Sequence, residues 1–117
     1  MAATDVAGTI LVLTTLSSAE EARILVRRLA EAGLVACGTV IPSVTSVYRW
    51  DGRVEEAAEA QVILKTRRAR WEDLQAAVTR HHPYDVPELV AVPIETGLQA
   101  YLDWVGSETT NQEGGGA

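Results

Sequence analysis

From Thr9 to Leu16 the chain reads TILVLTTL, a nearly unbroken run of apolar and β-branched residues, the pattern of a strand buried on both faces. The next apolar positions, Ala22, Leu25, Val26, Leu29 and Ala30, recur at helical spacing. They form one stripe of an amphipathic helix, with Arg23, Arg27 and Glu31 left for water. Ser17 and Glu20 make a capping box that starts this helix, each side chain satisfying a backbone N–H the helix cannot. Gly33 suits its left-handed C-terminal cap.

Leu34 to Trp50 is rich in Val, Thr and Ile and ends at WDGR, where Asp51 and Gly52 supply the positive φ angles of a two-residue hairpin turn. The return strand runs from Arg53 to about Thr66. That turn sets Tyr48 opposite Glu55 and Val44 opposite Glu59, with a bulge near Pro42 shifting the lower pairs. Trp71, Leu74, Gln75, Val78 and His82 then mark a second helix, which Pro83 ends around Arg80 or His81. ELVAVPIE is the last strand and LQAYLDWV a short closing helix.

Strand, helix, strand, strand, helix, strand is the split βαβ order of an α+β, ferredoxin-like βαββαβ sandwich. The second and fourth strands then lie at the sheet edges, and Pro42 and Pro93 fall in those two strands, where a missing N–H is tolerated. The first hairpin arm, about 17 residues, extends roughly 55 Å, whereas a helix of about 15 residues covers roughly 22 Å. The outer hairpin, with Val44, Val47, Tyr48 and Trp50, outruns any helix of its own chain. Apolar residues on an uncovered ribbon predict an oligomer with hairpins built into its interfaces.

Length and composition fit one domain: 117 residues, 47% hydrophobic. The domain is expected over residues 9–106, with a flexible N-terminus (1–8) and a disordered polar, glycine-ended tail (107–117). A formal charge of −6 and the lack of a basic face argue against nucleic acid. A single cysteine, Cys37, asks for no oxidising compartment. With neither a signal-peptide pattern nor an apolar run long enough to span a bilayer, no membrane association is expected and the expected location is the cytoplasm.

SVYRWDGRVEE (Ser46 to Glu56), ILKT (Ile63 to Thr66), HPYDVPEL (His82 to Leu89) and YLDWV (Tyr101 to Val105) resemble, in order and spacing, the CutA family of divalent-cation tolerance proteins. The resemblance covers nearly everything from Ile10 to Val105. It implies a small cytoplasmic homotrimer with a ferredoxin-like protomer, similar in assembly to the PII signalling proteins, linked to tolerance of copper and other divalent metals. It implies no settled reaction.

RHHPYDVPEL, Arg80 to Leu89, holds both histidines and reads first as a stiff helix-to-strand connector and second as part of a ligand site. His82 is either a metal ligand or a cap on the last helical carbonyls; adjacent His81 points about 100° away and cannot share its ion. Cys37 matches a cysteine position of the family that has been discussed as a copper ligand, and a thiol suits cuprous ion. Its alternative role is that of a small buried hydrophobe. Glu88 binds a cation or pairs with Lys65 or an arginine. The candidate metal ligands are therefore Cys37, His82, Glu59 and Glu88. Tyr48, Trp50, Lys65 and Tyr84 are the candidate ligand-cleft residues, and Val44, Val47, Trp50 and Trp104 the candidate interface residues. Trp71 is expected to anchor the core.

KTRRAR, Lys65 to Arg70, puts cations at a helix start, against the macrodipole. Acids nearby, such as Glu72 and Asp73, or a bound anion compensate them. The functional expectation is a trimer that binds copper or a related divalent cation and contributes to metal tolerance, with no obligatory cofactor. The alternative is a PII-like regulatory module taking a small anionic ligand or a protein partner in intersubunit clefts. With no nucleophile elbow, CxxC or HExxH, the chain is not read as an enzyme.

Overall fold

The computed structural model describes residues 8–110. Its elements are β1 (Thr9–Leu16), α1 (Ala19–Glu31), β2 (Cys37–Trp50), β3 (Arg53–Arg67), a 3-10 turn (Arg68–Arg70), α2 (Trp71–His81), β4 (Val90–Pro93) and α3 (Gln99–Glu108). The four strands form one antiparallel sheet in the order β2-β3-β1-β4. Pro42 and Pro93 thus lie on edge strands, as their missing N–H groups require.

Strand alternation divides the sheet into two faces. Ile10, Val12, Thr14 and Leu16 of β1, with Ala60, Val62, Leu64 and Thr66 of β3, are buried. Ala22, Leu25 and Leu29 of α1 and Leu74, Ala77 and Val78 of α2 pack against this face, with Trp71 partly buried beside them. Gln75 is exposed; Ala77 takes its expected place on the stripe. The other face carries Leu11, Leu13 and Ile63, all half-buried, and Ile41, Val90 and Val92, which are 38%, 47% and 45% exposed. The expectation that β1 is buried on both faces is met fully on the first; on the second Thr9 and Thr15 are buried but Leu11 and Leu13 between them are only half-buried.

α1 begins one residue later than expected: Ser18 is the N-cap and accepts from the Glu21 backbone N–H at 3.1 Å, while Ser17 donates to the Glu21 carboxylate. Two adjacent serines followed by two adjacent glutamates offer two registers for one box, and the helix takes the second. At its far end Gly33, φ 72°, donates to Ala30 and Leu34 donates to Leu29, which satisfies the last carbonyls. Asp51 and Gly52 have φ of 54° and 77°, and the hairpin pairs Tyr48 with Glu55 and Val44 with Glu59, the register shifting between Ile41 and Val44. Pro42 sits in that bulge.

The expected tail starts too early. α3 runs to Glu108 and Thr109 is fully buried, held by Arg67, whose Nε donates to Thr109 Oγ1 at 3.1 Å and whose Nη2 donates to the Thr109 carbonyl. The remaining tail and N-terminal expectations, residues 111–117 and 1–7, lie outside the described residues.

Candidate functional site

β3 pairs with β1 only as far as Ala60, opposite Leu16. Beyond that point the β2–β3 hairpin continues alone, and the connector from His82 to Leu89 passes beside it. Between them opens a cleft of about 1050 Å³ whose walls include Tyr48, Trp50, Glu55, Glu59, Tyr84 and Glu88. Five expected site residues converge here: Tyr48, Trp50, Tyr84, Glu59 and Glu88. Glu55 and Asp85 join them. Glu55 was implicit in the turn register that sets it opposite Tyr48, whereas nothing in the sequence aims Asp85.

His82 lies beneath this cleft, 6% exposed. Its Nε2 donates to the Thr15 carbonyl at 2.8 Å, with Thr14 Oγ1 at 3.3 Å, and its Nδ1 accepts the Tyr84 backbone N–H at 3.1 Å. These bonds fix the neutral Nε2–H tautomer and leave neither nitrogen for a metal. Burial pulls the imidazole pKa below its ordinary value, against opposing pulls from the Thr15 carbonyl, Glu21 and Glu59. The expected ligand role is therefore corrected to a structural one: His82 ends α2 and ties the connector to β1. It is not a cap on its own helix's carbonyls either, since its ring partners belong to β1 and Tyr84. His81 is exposed and meets Arg28 instead, Nη1 to Nδ1 at 3.4 Å.

The bond from Tyr84 N–H to His82 orients the next ring. Tyr84 lies 4.9 Å from His82, centroid to centroid, and its hydroxyl donates to Glu59 Oε2 at 2.8 Å. Burial, reinforced by the Glu59 carboxylate, pushes the Tyr84 phenol pKa up. Glu59 is thereby held in one orientation at the cleft floor. Glu88 is exposed on the connector, and its expected pairing with Lys65 is not formed.

Cys37 and Lys65 belong to a different place. They are cross-strand partners at the far end of β2 and β3, and Glu59 lies six residues further along β3, about 20 Å away at strand rise. Cys37 Sγ is 3.6 Å from the Tyr101 hydroxyl, and the Lys65 ammonium sits 5.8 Å from the Tyr101 ring centroid. The hydrogen bond to Cys37 raises the Tyr101 pKa. Lys65 is thus removed from the cleft and Cys37 from any shared ion with His82 or Glu59. Tyr101 was missed because helical periodicity does not reveal where a closing helix docks. Among the described residues no group of three or more His, Cys, Asp or Glu is placed to hold a metal ion.

Of the candidate interface residues, Val47 and Trp50 are 61% and 67% exposed and Trp104 is 41% exposed; Val44 is half-buried. Trp104 packs on Tyr101 at 5.6 Å. In the basic turn, Arg70 Nη1 lies 3.6 Å from Asp73, and Arg67 donates to Thr109.

No helix among the described residues is long and apolar enough to cross a membrane. Residues 10–108 match the family model of the CutA1 divalent ion tolerance protein. The chain is 43% identical over 98 residues to the divalent-cation tolerance protein CutA of Thermus thermophilus, covering 84% of this chain and 95% of that one. It superposes on the crystal structure of CutA1 from Oryza sativa with a TM-score of 0.87 at 34% identity, over 92% of this chain and 99% of that one. A CutA from Archaeoglobus fulgidus, described as a periplasmic divalent cation tolerance protein, gives a TM-score of 0.84 at 33% identity, over 87% and 99% of the two chains. With the likeness spanning every element from β1 to α3, the chain belongs to the CutA1 divalent ion tolerance protein family.

Proposed function

We propose that this protein contributes to divalent-cation tolerance by binding such ions, copper among them, at the hairpin cleft of a PII-like homotrimer. The observation that carries this reading is the gathering of Glu55, Glu59, Asp85 and Glu88 around one cleft with no Lys or Arg in its walls. Carboxylate oxygens suit hard divalent ions, and copper(II) accepts them too. Because the donors of one chain do not close on a point, a neighbouring copy completes the set. The uncovered sheet face and outer hairpin give such a neighbour apolar surface to bury, at about 25 cal/mol per Å².

The anionic-ligand alternative loses support from the same wall, since four carboxylates repel an anion. The names of the relatives describe tolerance proteins and no reaction, so the reading remains that of a non-enzymatic binder. A cytoplasmic location belongs to the same proposal, and the periplasmic description of the Archaeoglobus relative makes cell fractionation its test.

Calorimetric titration of the purified protein with Cu²⁺ and Mn²⁺ tests the proposal. Saturable binding that falls about tenfold in Glu59→Gln and in Glu88→Gln is expected, with Cys37→Ala leaving it nearly unchanged. Binding abolished by Cys37→Ala and untouched by both glutamate changes would move the site to the other end of the sheet.

A further inference from the structure

Residues 83–89, between α2 and β4, form no regular structure, and among the described residues they take part in no backbone–backbone hydrogen bond. The segment starts after the His82 N–H, which donates to the Val78 carbonyl at 2.8 Å, and ends where Val90 pairs with Leu13. Leu89 packs on the core at its far end, while Val86 in its middle is 90% exposed. Two polar bonds hold the near half: the Tyr84 N–H donates to His82 Nδ1 at 3.1 Å, and the Tyr84 hydroxyl donates to Glu59 at 2.8 Å. A strap with so few bonds along its length opens at lower cost than the sheet beneath it.

His82 is the buried end of that fastening. Its Nε2–H already donates to the Thr15 carbonyl, so a second proton has only Nδ1 to occupy, and there it meets the Tyr84 N–H. The closed strap therefore refuses a proton that a solvated imidazole accepts. The titratable groups facing the ring are Glu21 of α1, Glu59 of β3 and Tyr84 of the strap itself; β1 presents only Thr14 and Thr15. Burial outweighs the pull of both glutamates and keeps the imidazole pKa low. The Tyr84 phenol, its pKa raised, stays protonated, and His81 turns away to Arg28.

We propose that His82 is an acid-released latch: protonation at Nδ1 expels the Tyr84 N–H and frees the 83–88 strap from the ring and from Glu59. Asp85 and Glu88 ride on this strap, whereas Glu55 and Glu59 stay on β3, so release takes the cleft carboxylates apart. In that consequence alone the proposal rests on the reading of the cleft as a cation site. With the strap open, the ring takes its proton at the ordinary value near 6.5. Opening is thus independent of pH above that value and grows about tenfold for each unit below it.

Amide exchange followed by NMR between about pH 8 and pH 5, corrected for the intrinsic rate, tests the latch with no metal present, and so separately from the metal reading. The Tyr84 amide is expected to be at least about hundredfold less protected than the amides of Val12 and Val62, which are buried on β1 and β3. Its protection should fall about tenfold for each unit below about pH 6.5. His82→Gln keeps a donor and an acceptor without a titration, and the same amide should then show a flat profile. Should that variant fail to fold, the comparison within the wild-type protein decides by itself. Tyr84 protection equal to that of Val12 and Val62 would mean that the strap opens only with the whole fold, and a flat wild-type profile would mean that His82 gates nothing; either result overturns the proposal.

Discussion

His82 binds backbone on both sides, donating to Thr15 and accepting from Tyr84. A second proton would set an N–H against the Tyr84 N–H. Because burial depresses its folded pKa below the ordinary value near 6.5, the unfolded chain takes up this proton first as pH falls. The stability it supports is therefore complete above about pH 6.5 and declines below it. Urea midpoints between pH 5 and 8 should show that decline, flattened in His82→Gln. Tyr84→Phe removes the bond to Glu59 and should cost about 1 kcal/mol, read as a shifted midpoint that largely disappears when Glu59→Ala is already present. HHPYDVPEL announced a rigid connector in the sequence, because two prolines and a helix stop are local signals. The β1 partners of His82 were not legible, since Thr14 and Thr15 are brought to it by packing between distant segments.

The hairpin is the element that sequence described most completely. Asp51–Gly52 dictates the turn, the turn dictates the pairing, and Pro42 marks the bulge. It also carried the cleft, because Tyr48, Glu55 and Glu59 follow from one register. The connector's approach to that hairpin, and the docking of α3 over Cys37, depend on packing between distant segments and leave no periodic trace. Where α1 crosses β2 the fit is tight: a Cβ on Gly38 would stand 2.7 Å from Val26 Cγ1 and 2.8 Å from Leu64 Cδ2. Gly38→Ala should therefore destabilise by about 1–3 kcal/mol, measurable by chemical denaturation. An unchanged midpoint would mean that α1 shifts freely against the edge strand.

Taken whole, the molecule measures 48 × 29 × 23 Å, and its long axis belongs to a ribbon its own helices do not cover. Val47 and Val54, on one face of that ribbon, are 61% and 67% exposed. On the sheet face opposite the helices, Leu11, Leu13, Ile63, Val90 and Val92 lie open or half-open. The sequence signalled this surplus in two ways, through a hairpin longer than its helix and a first strand apolar on both faces. Polar substitution on this surface, such as Leu13→Glu, should disperse an oligomer and weaken metal binding together, a coupling that sedimentation and calorimetry on the same sample would reveal. The account as a whole depends on sister copies completing the cleft. Multi-angle light scattering of the purified protein at micromolar concentration tests that most directly. The predicted mass is about three times the 12.6 kDa of one chain, and a folded species of 12.6 kDa alone would contradict it.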